Sequence, residues 1–238
     1  MHSKSLNKYL LTLCAVGILL TGSAYLYLPG KAIQIDITSL LNTRPVTTLT
    51  KGVFVRWTNG VDKQNGYLTK SAADLNEDDG KHALPDEPLI ATNSHHPAIL
   101  LHYKNEEGVK NQTRLITDTG EFVIKVPANQ YSDLYLGFTS AYGTSSLQFE
   151  LLYKDGVEKK SFIVPDWFTD IPDNDPDFSY IVHNLAKWDN RIKLTEKDHH
   201  NIDALNIHPD PKRVLTAIKL KMVRGSYLLL WSATGVKI

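Results

Sequence analysis

Thiol chemistry is the first thing this sequence lacks. Its one cysteine, Cys14, sits in an apolar run near the N-terminus, so the part expected to fold has no disulfide and no cysteine nucleophile. A surplus of one charge is also missing, with 26 basic against 26 acidic residues. Nothing in that balance points to nucleic acid or an anionic membrane as a partner. Helical periodicity is scarce, and no segment repeats at a fixed spacing, so the sequence carries no propeller or solenoid signature. There is no G-x-S-x-G elbow, no H-E-x-x-H, no P-loop and no G-x-G-x-x-G. The paired carboxylates of a glycosidase are defined in space and leave no spacing to read. The expectation is a non-enzymatic protein, with a hydrolase as an alternative.

What is present begins with a leader. Lys4 and Lys8 precede the apolar run YLLTLCAVGILL, Tyr9 to Leu20, and the small residues Gly22, Ser23 and Ala24 follow. A basic start, an apolar core and a small-residue exit describe a secretory signal peptide, cleaved after Ala24. The rival reading is an uncleaved anchor, since Tyr9 to Leu28 approaches the ~20 residues of a membrane-crossing helix. A lipid anchor on Cys14 is rejected, because Leu13 stands where a small residue is needed. Either way the rest is expected to be exported: secreted, periplasmic or in the cell envelope, touching membrane only through this segment. Loss of Lys4 and Lys8 leaves 24 basic against 26 acidic residues, a balance of −2. An exported chain without disulfides must rely on a large core, which 42% hydrophobic residues allow. Asn111-Gln112-Thr113 is a glycosylation acceptor only in a eukaryotic secretory pathway.

Past the leader, strand signals dominate. IQIDITSLL alternates from Ile33 to Ile37 and reads as a first edge strand. GVFVRWT sets Val53, Val55 and Trp57 on one face; EFVIKVP does so with Phe122, Ile124 and Val126. SDLYLGFT places Leu134, Leu136 and Phe138 together, SLQFELLY groups Leu147, Phe149 and Leu151, and KKSFIVP supplies Phe162 and Val164. AILLHY, RIKL, NIDALNI, VLTAIKLKMV and SYLLLWSA complete the set. Period-two alternation marks half-buried strands, and Tyr142-Gly143, Asp155-Gly156, Pro209-Asp210 and Arg224-Gly225 mark turns. Two short helical turns are expected, in KSAADLNEDD and in IVHNLAKW, where Ile181, Leu185 and Trp188 share one helical face. The fold class is all-β: a two-sheet antiparallel sandwich or jelly roll behind an N-terminal apolar export helix. The divisions are 1–28 for the leader, 29–50 for a linker and first edge strand, and 51–238 for the sandwich.

Several motifs converge in the second half: Pro127, Tyr131-Ser132, Leu134, Leu136-Gly137, Ala141-Tyr142-Gly143, Tyr153-Lys154-Asp155-Gly156 and Asp166-Trp167-Phe168. A closing series follows in Ile202–Ile207, Asp210-Pro211-Lys212, Val214–Leu220 and Tyr227–Trp231. From about Pro127 to Ala233 the chain resembles a family of secreted β-sandwiches with a galactose-binding-like jelly-roll topology, akin to carbohydrate-binding modules. The resemblance implies an extracellular module that stands alone or is joined to sugar-processing enzymes. Independently of it, Gly156 suits a hairpin turn, Asp166 suits a strand end where its carboxylate bonds turned backbone, and Trp167 and Phe168 are large enough to plug a sandwich.

Sugar recognition needs an aromatic platform beside groups that bond hydroxyls. HNLAKWDNR offers His183, Trp188, Asp189, Asn190 and Arg191 in one expected loop, with Tyr142 in a neighbouring turn. These six are the candidate ligand-binding residues; the plain alternative makes Trp188 a core plug. Trp57 and Trp231 are expected on strands, in the core. The acidic DIPDNDPD segment offers Asp173, Asp175 and Asp177 as ligands for a structural Ca²⁺, against the plainer reading of a solvated acidic loop. It is not an EF-hand, because Phe178 and Asn184 stand where Gly and Glu are needed. The paired histidines, His95 and His96 near His102, and His199 and His200 near His208, fit no standard zinc spacing and are expected as solvated loop residues. No catalytic residue and no other cofactor is assigned. The expected function is an exported protein that binds carbohydrate or another surface ligand through end loops. The alternative is a secreted or envelope protein that acts by contacting a surface protein.

Overall fold

The computed structural model describes residues 31–78, 80–117, 120–225 and 227–238, so the leader at 1–28 lies outside the described residues. Short strands come first: β1 (Lys31–Gln34), β2 (Val46–Thr50), β3 (Val53–Val55) and β4 (Tyr67–Leu68). The helix α1 (Lys70–Leu75) follows, then β5 (Leu89–Ile90), β6 (Ile99–Leu100) and β7 (Arg114–Ile116). Long strands make up the rest: β8 (Glu121–Asn129), β9 (Tyr131–Ala141), β10 (Ser145–Tyr153), β11 (Gly156–Val164), β12 (Phe178–Trp188), β13 (Leu194–Asn206), β14 (Leu215–Arg224) and β15 (Tyr227–Lys237). The all-β expectation is met, and every pairing within the two large sheets is antiparallel.

The larger sheet runs β1-β15-β9-β13-β12, with β7 sharing the β15 edge with β1; the smaller runs β11-β10-β14-β8. The two share one core. Leu134, Leu136 and Phe138 of β9 and Leu228 and Leu230 of β15 meet Leu147, Phe149 and Leu151 of β10, Ile218, Leu220 and Met222 of β14, and Ile124 of β8. The alternation that predicted these strands is the alternation of this interface.

The other face of the larger sheet is covered as well. Tyr227, Leu229 and Trp231 of β15, with Ile202 and Ala204 of β13, pack against Val46, Val61, Tyr67, Leu84, Ile99, Leu101 and Tyr103. Residues from 46 to 103 thus form a third layer over the sandwich. Burial on both faces explains why SYLLLWSA is continuously apolar rather than alternating. Arg44 pins this layer from inside: its guanidinium, 2% exposed, bonds Glu107 Oε1 at 2.9 Å, the Lys110 carbonyl at 2.9 Å and Thr48 Oγ1 at 2.6 Å.

Three local expectations change. IVHNLAKW is not helical; it is the second half of β12, because strand pairing with β13 overrides a weak helical spacing. RIKL and NIDALNI are not two strands: one strand, β13, takes in Leu194 to Asn206. Trp57 lies just beyond β3, half-buried, and covers Gly66 so closely that an added Cβ there would sit 2.2 Å from its ring. Trp231 is fully buried on β15, as expected.

Gly137 marks a tight point of the larger sheet. A Cβ there would lie 2.4 Å from Ser232 Oγ and 2.9 Å from Ile181 Cδ1. Gly137→Ala is expected to cost roughly 1–3 kcal/mol through overpacking. The check is the urea midpoint at unchanged m-value; a variant as stable as the parent contradicts this packing.

Candidate functional site

The β12–β13 hairpin is where regular pairing breaks down. Register is kept at Val182↔Ile202, Leu185↔His200 and Lys187↔Glu196. Between the first two pairs, His183 and Asn184 oppose Asn201 alone. Between the next two, Lys197, Asp198 and His199 oppose Ala186 alone. Such extra residues are pushed out of the ladder as bulges. Asn184 and His199 both take left-handed backbone angles, with φ of 63° and 76°, which non-glycine residues adopt uncommonly. The Asn184 N–H bonds Asn201 Oδ1 at 3.2 Å, and His82 Nδ1 stands 2.7 Å from the Asn184 carbonyl.

The residues expelled from the ladder line a cleft of about 300 Å³ with Asp170, Tyr180, His183, Asn184, Asp198, His199 and Asn201 around it. The Tyr180 and His183 rings lie 5.4 Å apart at 38°. The Tyr180 hydroxyl accepts the Ile171 N–H at 2.6 Å, which holds the loop bearing Asp170 against the hairpin. Burial, and then the field of Asp170, Asp203 and Asp173, raises the Tyr180 hydroxyl above its ordinary pKa. His199 Nδ1 lies 2.7 Å from Asp198 Oδ1, and this contact raises the imidazole's pKa.

Beside the cleft runs an ion chain that begins in the interior at Asp62 and ends at the half-exposed Glu196. Lys187 Nζ lies 2.9 Å from both Asp62 Oδ2 and Glu196 Oε1, and the Lys187 side chain is only 5% exposed. The ammonium also sits 4.7 Å from the centre of the Trp167 ring. Asp62 is fixed in turn by N–H groups of Gln64 and Asn65 and by the Asn65 amide. His200, fully buried, packs against Trp167 and Phe168 at 4.5 and 4.6 Å between ring centres. Its Nδ1 lies 2.9 Å from the Leu185 carbonyl and so carries the ring hydrogen. Its Nε2 stands 3.1 Å from Glu196 Oε2 but off the direction a ring N–H would take, and makes no hydrogen bond. Burial lowers its pKa.

The Asp166-Trp167-Phe168 motif closes this region. Asp166 accepts the Gly143 N–H at 2.6 Å and the Phe168 N–H at 3.1 Å, and Trp167 N–H bonds the Ser140 carbonyl at 3.0 Å. Trp167 is buried, while Phe168 is left 46% exposed.

The six candidate ligand residues are not brought together. His183 lines the cleft. Trp188 is 2% exposed, donates its indole N–H to Asp78 Oδ2 at 2.8 Å and packs with Leu68, Ala72 and Ile192, as a core plug does. One edge of it borders a separate, smaller cleft with Asp78, His82 and Lys197. Asp189 accepts the Arg191 and Lys193 N–H groups and caps its own turn. The Asn190 carbonyl accepts Arg56, and Arg191 projects into solvent. Tyr142 is in the β9–β10 turn, its hydroxyl bonded to the Asp62 carbonyl.

The acidic loop uses its carboxylates separately. Asp173 borders a shallow cleft with His95, Asp175 accepts the Asp177 and Phe178 N–H groups, and Asp177 pairs with His208 at 3.2 Å. Among the described residues no group of three or more His, Cys, Asp or Glu side chains is arranged to hold a metal ion. The histidine pairs are not uniformly solvated: His96 and His200 are buried, and the Nδ1 of each ring bonds a backbone carbonyl.

Sequence reasoning missed Tyr180, Asp198, His199 and Asn201 as neighbours of His183. The doubled histidine was visible, but the bulge that turns one ring inward and the other outward leaves no sequence period to follow. Comparison with protein families finds none that matches this chain, and comparison with curated proteins finds no match.

Two predictions follow from these contacts. Lys187→Ala leaves Asp62 buried and uncompensated, and is expected to cost about 3–5 kcal/mol, measured by denaturant unfolding; a loss under about 1 kcal/mol contradicts the ion chain's role. Asp203, opposite Tyr180 on β13, is 1% exposed, and neither of its carboxylate oxygens has a hydrogen-bond partner. Burial pushes its pKa well above the ordinary value, and Asp166 adds to the rise. Its raised pKa contributes stability below the ordinary carboxylate range near 3.9 that is lost as pH climbs toward the folded value. Asp203→Asn is therefore expected to be more stable than the parent at pH 8, with an advantage that shrinks toward pH 4. Thermal melts across that range check it, and a pH-independent difference refutes it.

Proposed function

We propose that this is an exported, non-enzymatic β-sandwich protein that binds carbohydrate, and that its ligand sits in the β12–β13 cleft. The observation that carries this reading is the pairing of the Tyr180 and His183 rings with Asp170, Asp198, His199 and Asn201 around one cleft of about 300 Å³. Pyranose rings present apolar faces to aromatic side chains and hydroxyls to carboxylates, amides and imidazoles, and small-molecule clefts combine the same two features. The basic start, apolar run and small-residue exit of residues 1–28 support export, and the motif set from Pro127 to Ala233 supports a galactose-binding-like jelly roll. Site choice moves with the geometry: Trp188 is occupied in the core, and the aromatic role passes to Tyr180.

A glycan array probed with the exported domain tests the reading. Binding is expected to at least one glycan class, lost on Tyr180→Ala and His183→Ala with folding unchanged, and kept in Arg191→Ala. No response to any glycan would falsify it, as would binding that survives both cleft substitutions.

A further inference from the structure

The electrostatics of the cleft narrow its ligand. Neither lysine nor arginine lines it. Of its two carboxylates, Asp198 is partly neutralised by His199 at 2.7 Å. Asp170 is exposed and makes no hydrogen bond or ion pair among the described residues; its field reaches both Tyr180 and His199. Asp173 adds negative field at the Tyr180 hydroxyl. Lys197, a neighbouring cation, lines the adjoining cleft and acts on Asp198. Two aromatic rings thus stand beside two carboxylates answered by one imidazolium, that of His199, which leaves the cleft with an excess of negative charge. That combination suits a cation, which gains from ring faces and from the carboxylate together. It disfavours an anionic sugar, which meets like charge.

We propose that the cleft selects an amino sugar with a free amine, its ammonium held by Asp170 and its ring lying against Tyr180 and His183. This rests on the carbohydrate reading above and specifies it. A neutral sugar would fill the same space without engaging Asp170. An N-acetylated sugar has the same skeleton but no charge, and a uronic acid reverses the sign.

Calorimetric titration with tetramers of glucosamine, N-acetylglucosamine and galacturonic acid, near pH 6 in dilute buffer, tests the selection. The glucosamine tetramer is expected to bind about fivefold more tightly than the N-acetylated one, as one exposed ion pair of roughly 1 kcal/mol would give. That gap is expected to close in 1 M salt and in Asp170→Asn. Glu121→Gln, on the smaller sheet, should leave it intact. Equal affinity for the charged and N-acetylated tetramers overturns the proposal but leaves carbohydrate binding standing. So does tighter binding of the uronic tetramer, or a preference that persists in Asp170→Asn. Silence from all three tetramers also overturns it, while a positive array with other glycans would keep the broader reading alive.

Discussion

The Lys187 ammonium is the contact on which this architecture turns. It joins three separate pieces of chain: the Asp62 turn of the third layer, β12 through its own backbone, and β13 through Glu196. Trp167, delivered by the turn after β11, lies over it. Removing charges from water is costly, and a buried pair repays this only with good geometry and satisfied neighbours. Here both carboxylates approach at 2.9 Å, and Asp62 is further held by backbone N–H groups. The return is specificity rather than raw stability. Hydrophobic alternation normally fixes strand register, but the β12–β13 ladder slips on both sides of Lys187↔Glu196. An ion pair can hold that register where the period-two pattern has been lost.

The second constraint is that the larger sheet has no free face over most of its width. The smaller sheet covers one side and residues 46–103 the other. Such a sheet offers a ligand only its edges and ends. Strand β12 is an edge of the larger sheet, and its bulges carry His183 and Asn184 out of the covered region. The cleft is therefore positioned by the same layering that buries β15. The loop from Asp166 to Asp177 links the two sheets beside this edge, tied to it through the Ile171 N–H and the Tyr180 hydroxyl.

Much of this fold was legible in the sequence. Leu147, Phe149 and Leu151, or Leu134, Leu136 and Phe138, alternate because one face meets the opposing sheet. Asp155-Gly156 marked its hairpin because Gly156 takes φ of +146° there. The third layer was less legible. Its strands are two to five residues long, too short for a period to emerge, and its order depends on contacts such as Arg44 with Glu107, 63 residues apart. The site was half legible. His183 stood out as a polar residue in an aromatic neighbourhood, but Trp188, the obvious platform, had its ring taken up by α1 and Asp78. Bulges fix side-chain direction by counting residues on two strands at once, and a single sequence shows only one strand at a time.

Those bulges bear on function through the residues that occupy them. Left-handed backbone is cheapest for glycine, which has no Cβ to clash. The chain places glycine in it at Gly52, Gly143 and Gly156, and other residues in it at Lys51, Lys63, Tyr142 and Ile192 among others. At 184 and 199 it carries Asn and His, the side chains that tolerate the conformation better than most. Folding alone would be served as well or better by glycine at both. The Asn184 and His199 side chains border the cleft, whereas a glycine would leave it bare at those points. What sets 184 and 199 apart is therefore not the backbone angle but the place of the side chains, which border this polar cleft where the other described left-handed residues do not.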